Sequence, residues 1–261
     1  MNTRRKVPII LLLSSLSAYA DFSPGPVSKI HAEFRDSVYN QSSDSGKVSQ
    51  LYSTVLKEVA TKPTEFERLY WTARIHFLKG WHYHRTLLDK KGAKQEWQMM
   101  LSYSDSAMKI EESSDLYRLK AEATSHLCMV TSVAWVLING MKISGYCDKA
   151  LDLNSENAKA MFILGASKTY PPFWFGGNTR VAIRLLNKAL RMEYIEVNDY
   201  YNIYTALGVA HLKDKNFKRA IRYLEKSLEI YPNNNFSRSM LQKAMIKSDV
   251  DLQKFYPPEK E

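Results

Sequence analysis

Three histidines lie close together in this chain of 261 residues, and histidine is the commonest metal ligand in proteins. His82 and His84 flank Tyr83, and His76 precedes them by six residues. Two imidazoles at positions i and i+2 point to the same side only in an extended segment, and no cysteine or acidic residue stands at a spacing that would complete a zinc site. We therefore interpret the segment as an amphipathic loop with Trp81 packed inward, and we expect neither a metal nor a cofactor.

The two cysteines are candidates for a disulfide. Cys128 and Cys147 lie on either side of Asn139, where we expect the turn between two antiparallel helices, so their side chains would lie at similar heights. Facing helices stand about 8 to 10 Å apart, which places most Cα pairs beyond disulfide range unless the packing is tight. Both a Cys128–Cys147 bridge and a pair of buried thiols fit the sequence.

Catalytic motifs are missing from the chain, which has no nucleophile elbow, no phosphate-binding glycine loop and no zinc-protease helix. Its neighbouring carboxylates, Glu111 with Glu112 and Glu65 with Glu67, stand where helix caps or exposed faces are expected, and there they match the helix dipole. We therefore predict that the protein is not an enzyme. The alternative is a cell-envelope enzyme whose acidic residues or histidines converge from distant positions.

The first 20 residues have the organisation of a secretory signal peptide. Basic residues stand at positions 4–6, an apolar run covers 7–13, and Ala18-Tyr19-Ala20 supplies the small residues of a cleavage site. The apolar run is too short to span a bilayer, which takes about 20 residues. We predict cleavage after Ala20 and export to a bacterial periplasm, and the alternative is a signal that is retained as an anchor.

The formal net charge is +10, and the charged residues are interspersed along the chain instead of gathered into a basic arm. Nucleic-acid binding is not expected, because it is hard to reconcile with export. The positive charge instead favours acidic partners or membrane surfaces, so peripheral membrane association is one expectation. Because 45% of the residues are hydrophobic, the chain can bury a sizeable core.

The segment 201–232 has the pattern of a helical hairpin. Gly208 and Ala220 are small where two antiparallel helices would cross closely, and the polar residues 214–216 supply the turn between them. This spacing resembles the tetratricopeptide repeat (TPR) family, whose repeats are 34-residue pairs of antiparallel helices. The positions that carry the resemblance are Tyr204, Leu207, Gly208, His211, Ala220, Leu224, Ser227 and Pro232.

An earlier hairpin has the same arrangement with a longer turn. Gly165 and Ala182 occupy the positions of Gly208 and Ala220, but they stand 17 residues apart instead of 12. Five residues have therefore been inserted into the turn, within the sequence TYPPFWFGGNTRV at 169–181. Its prolines stop the first helix, and its glycines allow the chain to re-enter the second helix sharply.

Almost no segment alternates with the period of a β-strand, so we predict an all-α fold. Stacked helical pairs give an α-solenoid of antiparallel helix pairs, a TPR-like superhelix. Helices are predicted at 27–41, 46–61, 64–79, 93–110, 115–137, 155–168, 180–192 and 234–248, with Ser155 as an N-cap. The predicted organisation is a signal peptide at 1–20, an N-terminal helical pair at 21–62, a TPR-like helical repeat domain at 63–250 and a C-terminal tail at 251–261.

The insertion also resembles one in exported bacterial TPR proteins, a group that includes the periplasmic T-component of TRAP-type transporters. Pro171-Pro172 and Gly176-Gly177 carry that resemblance, whereas the lipid-attachment cysteine that such proteins often have is absent. The resemblance implies a binding or scaffolding role. More narrowly, it implies an accessory component of a solute transport system that binds a hydrophobic ligand.

The concave face of such a solenoid is the expected binding surface. Its expected lining is too apolar for the clamp with which some TPRs bind a terminal carboxylate, so an amphipathic protein segment or a small apolar ligand fits better. The same residues also fit a core between repeats. The predicted binding residues are Phe162, Ala166, Thr169, Phe173, Trp174, Phe175, Asn202, Thr205, Val209 and Leu212.

The aromatic residues Phe173-Trp174-Phe175 allow two interpretations. The favoured one is a buried plug against a neighbouring helix pair, and the other is an exposed interaction patch of a kind that monomers seldom display. With either, we predict an exported, non-catalytic TPR interaction or scaffold protein. Its partner would be a protein of the cell envelope or a small apolar ligand.

Overall fold

The computed structural model describes residues 27–42, 44–192 and 196–246, and the regular structure in these ranges is helical. The predicted signal peptide and C-terminal tail lie outside them. No helix within the described ranges has both the length and the apolar character needed to cross a membrane. The helices are α1 Lys29–Tyr39, α2 Ser45–Ala60, α3 Glu65–Trp81, α4 Lys90–Met108, α5 Ser114–Leu127, α6 Val133–Asn139, α7 Lys142–Leu153, α8 Ala158–Thr169, α9 Thr179–Ala189, α10 Val197–Lys213, α11 Phe217–Ile230 and α12 Asn235–Met245. A π-helical turn at His82–Thr86 follows α3, and a 3₁₀ turn at Phe173–Phe175 lies between α8 and α9.

Consecutive helices pack as pairs: α1 with α2, α3 with α4, α5 with α7, α8 with α9, and α10 with α11. Each pair also packs on the next one, and α12 covers the last pair. The chain reverses direction within each pair, so its two helices are antiparallel. The chain is therefore a TPR-like α-solenoid, which confirms the predicted fold class.

Capping side chains fix where many of the helices begin. Thr64 and Glu67 form a capping box at the start of α3, in which the Thr64 hydroxyl accepts from the Glu67 backbone N–H at 3.1 Å. Glu65 and Glu67 therefore lie in the first turn of α3, as predicted for a cap. The N-cap of α8 is Asn157, so the prediction of Ser155 is wrong by two residues.

Small residues let the helices of a pair cross closely. A Cβ added to Gly208 of α10 would lie 2.5 Å from Leu224 Cγ of α11, well inside van der Waals contact. Gly165 of α8 has the same relation to Leu186 of α9, at 2.9 Å. Both crossings confirm the predicted use of glycine at the matching repeat positions.

The long helix predicted to continue to about Leu137 ends instead at Leu127, as α5. Thr131 Oγ1 donates to the Leu127 carbonyl at 2.6 Å, and the Ser132 side chain caps α6 by accepting from the backbone N–H of Trp135. These short polar side chains compete with helical hydrogen bonds, which explains the break. The turn predicted near Asn139 is therefore a longer connection that contains α6.

The two ends of the stack meet. Tyr39, the last residue of α1, contacts Tyr201 of α10 edge-on at 5.4 Å between ring centroids and stacks on Tyr231 at 5.0 Å. Asn234 Nδ2 donates to the Tyr39 carbonyl at 2.9 Å. Because the repeats of a solenoid usually contact only their neighbours, these contacts close the stack around an interior.

Candidate functional site

Charged side chains from the first helix of each pair converge in the interior of the closed stack. They come from α1, α3, α5 and α8 and from the start of α10, and they are buried or half-buried. Charged residues are rarely buried unless they are paired. We call this set the inner charge cluster, and it comprises Arg35, Arg74, Asp115, Arg118, Glu122, Lys159, Glu196 and Asp199.

Glu196 is the hub of the inner charge cluster. Its carboxylate accepts from Arg35 Nη1 at 3.4 Å, from Lys159 Nζ at 2.7 Å and from Arg74 Nη2. Burial alone would raise the pKa of Glu196, but Arg74 and Lys159 hold that pKa well below its usual range. Burial, together with the charge of Arg74, lowers the pKa of the neighbouring His31 to about 3, so this imidazole is neutral.

Asp199 is the second carboxylate at the start of α10. Its Oδ2 accepts from the Glu196 backbone N–H at 3.4 Å, and its Oδ1 lies 3.5 Å from Lys159 Nζ. Burial raises the pKa of Asp199 to about 6, because Lys159 only partly offsets the loss of water and the negative charge of Glu196 adds to it. Below about pH 6, Asp199 is therefore mostly protonated, whereas Glu196 remains ionised.

A second part of the cluster lies on α5. Arg118 donates to Asp115 at 2.6 Å and to Glu122 at 2.8 Å, and the Tyr70 hydroxyl of α3 donates to Asp115. Burial alone would raise the pKa of Asp115, but the Arg118 guanidinium holds that pKa well below its ordinary range. This network therefore links α3 to α5 through a fully ionised pair.

The space enclosed beside the inner charge cluster is about 20 Å³. That volume holds about one water molecule, which is far below what a small-molecule ligand needs. Each carboxylate of the cluster is already engaged by arginine, lysine or tyrosine within the described residues. The arrangement therefore joins helices, and it leaves no room for a substrate beside the acidic groups.

Some of the predicted binding residues line this interior. Phe162 and Asn202 are half-buried beside the inner charge cluster, and Asn202 Nδ2 donates to the Tyr39 hydroxyl at 3.1 Å. Ala166 is also half-buried, one turn further along α8 than Phe162. These three residues face an interior that the closure of the stack has largely filled.

Other predicted binding residues belong to the core. Val209 and Leu212 are buried in one hydrophobic cluster with residues of α12, and the hydroxyls of Thr205 and Ser237 lie 3.1 Å apart. Thr169 is buried and its hydroxyl donates within α8. Side chains of α12 therefore cover Thr205, Val209 and Leu212, which were expected to line a groove.

The aromatic residues of the inserted turn are exposed, so the favoured prediction of a buried plug is wrong. Phe173–Phe175 forms a 3₁₀ turn beyond the ends of α8 and α9, where no described helix reaches far enough to cover it. Gly176 has a φ of 82° and Asn178 caps α9, as the turn chemistry predicted.

Lys213 binds the backbone at the start of the inserted turn. Its Nζ donates to the carbonyl oxygens of residues 169, 170 and 171 at 2.6, 3.0 and 3.2 Å. These carbonyls stand at the open end of α8, where a cation is favourable. Burial lowers the pKa of Lys213 to about 8. The last helix pair therefore fixes the base of the insert on the previous pair.

The three histidines of the sequence analysis take part in packing. His84 is buried against Trp81 and Trp97, at 5.8 and 5.5 Å between ring centroids, and burial lowers its pKa to about 3. His82 is buried as well, and His76 Nδ1 lies 2.6 Å from a Glu96 oxygen. Within the ranges that the structure describes, no group of three or more His, Cys, Asp or Glu residues could hold a metal ion.

Both cysteines lie in one small hydrophobic cluster between α5, α7 and α8. Cys147 is buried beside Ile143 and Ile163, and Cys128 packs on the same cluster. Burial raises the pKa of the Cys128 thiol to about 11 and that of the Cys147 thiol to about 12. The disulfide between them stays a prediction.

An open cleft of about 740 Å³ lies on the outside, between α1 and the connection of α11 to α12. Its walls carry polar and charged side chains from α1 and α2, together with Pro232. We call this feature the outer cleft, and its walls include Glu33, Asp36, Asn40, Lys47, Pro232 and Asn233.

The inner charge cluster was missed by the sequence analysis. One signal for it is a basic residue on an otherwise apolar helix face: Arg118 lies between Leu116 and Leu119, and both leucines are fully buried. Another is the capping pair Glu196 and Asp199, three residues apart. Neither pattern predicts which helices these side chains would connect.

The comparison with protein families matches residues 201–234 to the tetratricopeptide repeat. No curated protein matches the chain. The match covers the hairpin α10–α11, whose small residues and turn carried the resemblance in the sequence. Tetratricopeptide repeats generally mediate protein–protein interaction or scaffolding, and proteins built from them are typically non-catalytic.

Proposed function

We propose that this protein is an exported, non-catalytic interaction protein that binds a protein partner of the cell envelope. The observation that carries the proposal is the filled interior: a TPR-like stack is closed around about 20 Å³ of free space. A stack with so little internal room has only its outer surfaces to offer to a ligand. Macromolecular partners bind to such surfaces.

The outer cleft is the proposed contact for the partner protein. Glu33 lines it from α1 and Lys47 from α2, so it offers charges of both signs to a bound segment. The cleft is open and polar, as the contacts of reversible protein complexes often are.

The same observations weigh against the two alternative functions. A transport accessory with a hydrophobic ligand needs an apolar cavity, but α12 occupies the predicted groove, so only the Pro-Pro…Gly-Gly insert supports that reading. An enzyme needs a carboxylate with access to substrate. Asp115, Glu122, Glu196 and Asp199 do converge from distant positions, but they are engaged with basic side chains and face almost no free space.

Capture from the native envelope tests the partner proposal. The full chain is expected to recover a specific protein, and Glu33→Lys and Lys47→Glu are each expected to reduce the recovery about tenfold, because each reverses a charge in the outer cleft. Glu225→Lys, on the exposed face of α11, is the matched control and should leave recovery unchanged. Equal recovery with all three variants would place the partner elsewhere.

Export has its own test. N-terminal sequencing of the protein recovered from cells is expected to begin at Asp21, because Ala18-Tyr19-Ala20 supplies the small residues of a cleavage site. A chain that begins at Met1 and remains with the cytoplasmic fraction would contradict export. It would leave the outer cleft as a contact for a cytoplasmic partner.

A further inference from the structure

The connections inside three successive hairpins lie at one end of the stack. α4 packs on α5, and α7 packs on α8, so the hairpins α3–α4, α5–α7 and α8–α9 stand side by side in the same orientation. Their internal connections at 82–89, 128–141 and 170–178 therefore lie along one end of the solenoid. The connections that join one hairpin to the next lie at the opposite end.

Each of these internal connections exposes large apolar side chains. Leu88 is 80% exposed, Met141 80%, Phe173 85% and Trp174 74%. The short helix α6 adds further exposed aliphatic side chains next to Met141. Monomeric proteins seldom expose apolar residues so densely unless the surface binds something. We call this end the apolar edge and define it by Leu88, Leu137, Ile138, Met141, Phe173 and Trp174.

Basic side chains stand beside the apolar edge. Lys142 opens α7, Lys168 lies in the last turn of α8, and Arg180 lies in the first turn of α9. The sequence contains no acidic residue in the segments 128–145 and 168–184, which include both connections. The surface around the exposed tips of these two hairpins is therefore positively charged.

The opposite end of the same hairpins differs in its charge and in its exposed apolar side chains. Its connections carry the acidic residues Glu111, Glu112 and Glu156 together with the basic residues Lys109 and Arg191. Large exposed apolar side chains stand singly there, as Ile110 at 51% and Leu153 at 50% exposure. The two ends therefore differ: large exposed apolar side chains gather beside basic groups at one end, whereas charges of both signs stand at the other.

The aromatic tip is held in position. The Asn178 backbone N–H donates to the Lys168 carbonyl at 2.9 Å across the base of the insert, and Lys213 binds the three carbonyls that precede the tip. A Cβ on Gly177 would collide with the Pro171 carbonyl oxygen, so the chain passes itself closely there. A rigid tip loses little conformational entropy when it binds.

We propose that the apolar edge docks on an anionic lipid bilayer. Phe173 and Trp174 enter the headgroup region, where aromatic side chains are favoured. The exposed side chains of α6 insert into the same region. The neighbouring lysine and arginine side chains face lipid phosphates. None of the six residues that define the apolar edge lines the outer cleft, although Gln41 of the cleft donates to the Arg85 carbonyl in the connection 82–89.

The form and the charge of the apolar edge favour a bilayer over other occupants. Its exposed side chains lie on separate connections between helices, and a broad lipid surface can contact all of them at once. A second copy bound through the same edge would bring Lys142 and Arg180 against like charges, which costs free energy. An anionic surface satisfies both the apolar and the basic groups.

Sedimentation with lipid vesicles tests the proposal. The full chain is expected to bind vesicles that contain phosphatidylglycerol at low ionic strength, to bind pure phosphatidylcholine vesicles much less, and to be released by salt. Phe173→Ser with Trp174→Ser is expected to weaken binding at least about tenfold, because two large apolar side chains no longer insert. Lys142→Gln and Arg180→Gln are each expected to weaken binding about fivefold.

The matched control removes apolar side chains from the opposite end. Ile110→Ser with Leu153→Ser is expected to leave vesicle binding unchanged, and all variants keep residues 1–20, so any contribution from that segment is the same in each. Circular dichroism melting checks that each variant is folded. Equal weakening by both serine pairs, or no binding of the full chain to anionic vesicles, would overturn the proposal.

Two further outcomes would assign the edge to a protein instead. If Phe173→Ser with Trp174→Ser abolishes capture of the envelope partner while vesicle binding is absent, the edge is a protein contact. If the full chain is a dimer in solution and the same variant is a monomer, the edge binds a second copy. The cleft variants Glu33→Lys and Lys47→Glu are expected to keep vesicle binding, so failure of the partner proposal is distinguishable from failure of this one.

Discussion

A guanidinium nitrogen of Arg35 lies 3.4 Å from a carboxylate oxygen of Glu196, although 161 residues separate them in the chain. The two residues belong to the first helix and to the start of the tenth. An open solenoid has no such contact, because each repeat packs only on its neighbours. We therefore expect the described part of the chain to unfold as one cooperative unit.

Removal of the Glu196 charge should lower the stability of the protein, because this charge joins the two ends of the stack. Glu196→Gln leaves Arg35, Arg74 and Lys159 without their common partner, and the free energy of unfolding at pH 7 is expected to fall by about 3 to 5 kcal/mol. Urea denaturation followed by circular dichroism measures the change. Glu225→Gln, exposed on α11, is the control and should change the stability by less than about 0.5 kcal/mol. Similar losses for the two variants would show that the ion pairs do not hold the ends together.

Asp199 should make the protein less stable as the pH rises from about 4 to about 6. Burial raises its folded-state pKa from 3.8 to about 6, so the folded protein holds a proton that the unfolded chain releases in that window. The stabilisation is complete below the unfolded pKa and is lost as the pH rises through the folded one. Asp199→Asn is expected to flatten this slope and to raise stability at pH 7 by up to about 3 kcal/mol.

Thermal denaturation from pH 4 to pH 8 measures this difference. Glu196 acts in the opposite sense, because its pKa is depressed in the folded state and the stability that it contributes is lost as the pH falls below its usual value of 4.5. The comparison of Asp199→Asn with the unaltered protein isolates the first effect. Parallel pH profiles for the two proteins would contradict the assignment.

The hairpin α10–α11 was predictable because its determinants are local. Gly208 and the turn at 214–216 lie within one repeat length, and their spacing alone fixes how two helices cross. The end of α5 was not predictable from hydrophobic periodicity, since apolar residues continue past Leu127. Hydrogen bonds from Thr131 and Ser132 decide that boundary.

The candidate sites depend on contacts between distant residues. Nothing in the spacing of Arg35, Arg74 and Glu196 indicates that they meet, because the meeting results from the closure of the whole stack. Closure likewise explains why the predicted concave groove is filled. Burial of Phe173 and Trp174 was wrongly favoured over exposure for a different reason: hydrophobicity predicts burial, but a turn beyond the helix ends has no neighbour to pack on.

Glycine should be needed where the helices of a repeat cross, whereas Gly145 should be dispensable. Gly208→Ala places a Cβ 2.5 Å from Leu224 Cγ and is expected to destabilise the protein by about 1 to 3 kcal/mol. Gly145→Ala, in α7, meets no atom within 4 Å and is expected to stabilise by up to about 1 kcal/mol through helix propensity. Urea denaturation measures both changes. Stabilisation by both substitutions would show that the crossing can relax.

The thiols should react slowly in the folded protein. Burial raises the pKa of Cys128 to about 11 and of Cys147 to about 12, so alkylation by iodoacetamide at pH 8 is expected to be at least about 100-fold slower than in the unfolded chain. Cys128 should react first, because it is less buried. Mass spectrometry after labelling without a reductant measures both. Failure of both residues to label even in denaturant would indicate the predicted disulfide instead.

The contacts of Tyr39 with Tyr201 and Tyr231 also fix how many repeats this architecture can have. Open repeat arrays gain or lose units freely in evolution, because a new unit needs only two neighbours. Here one more helix pair would displace the ends by about 10 Å, the separation of packed helices, and the tyrosine rings could no longer meet. The lineage of this protein is therefore expected to vary in its connecting segments, as at the aromatic insert, and to keep its number of helix pairs constant.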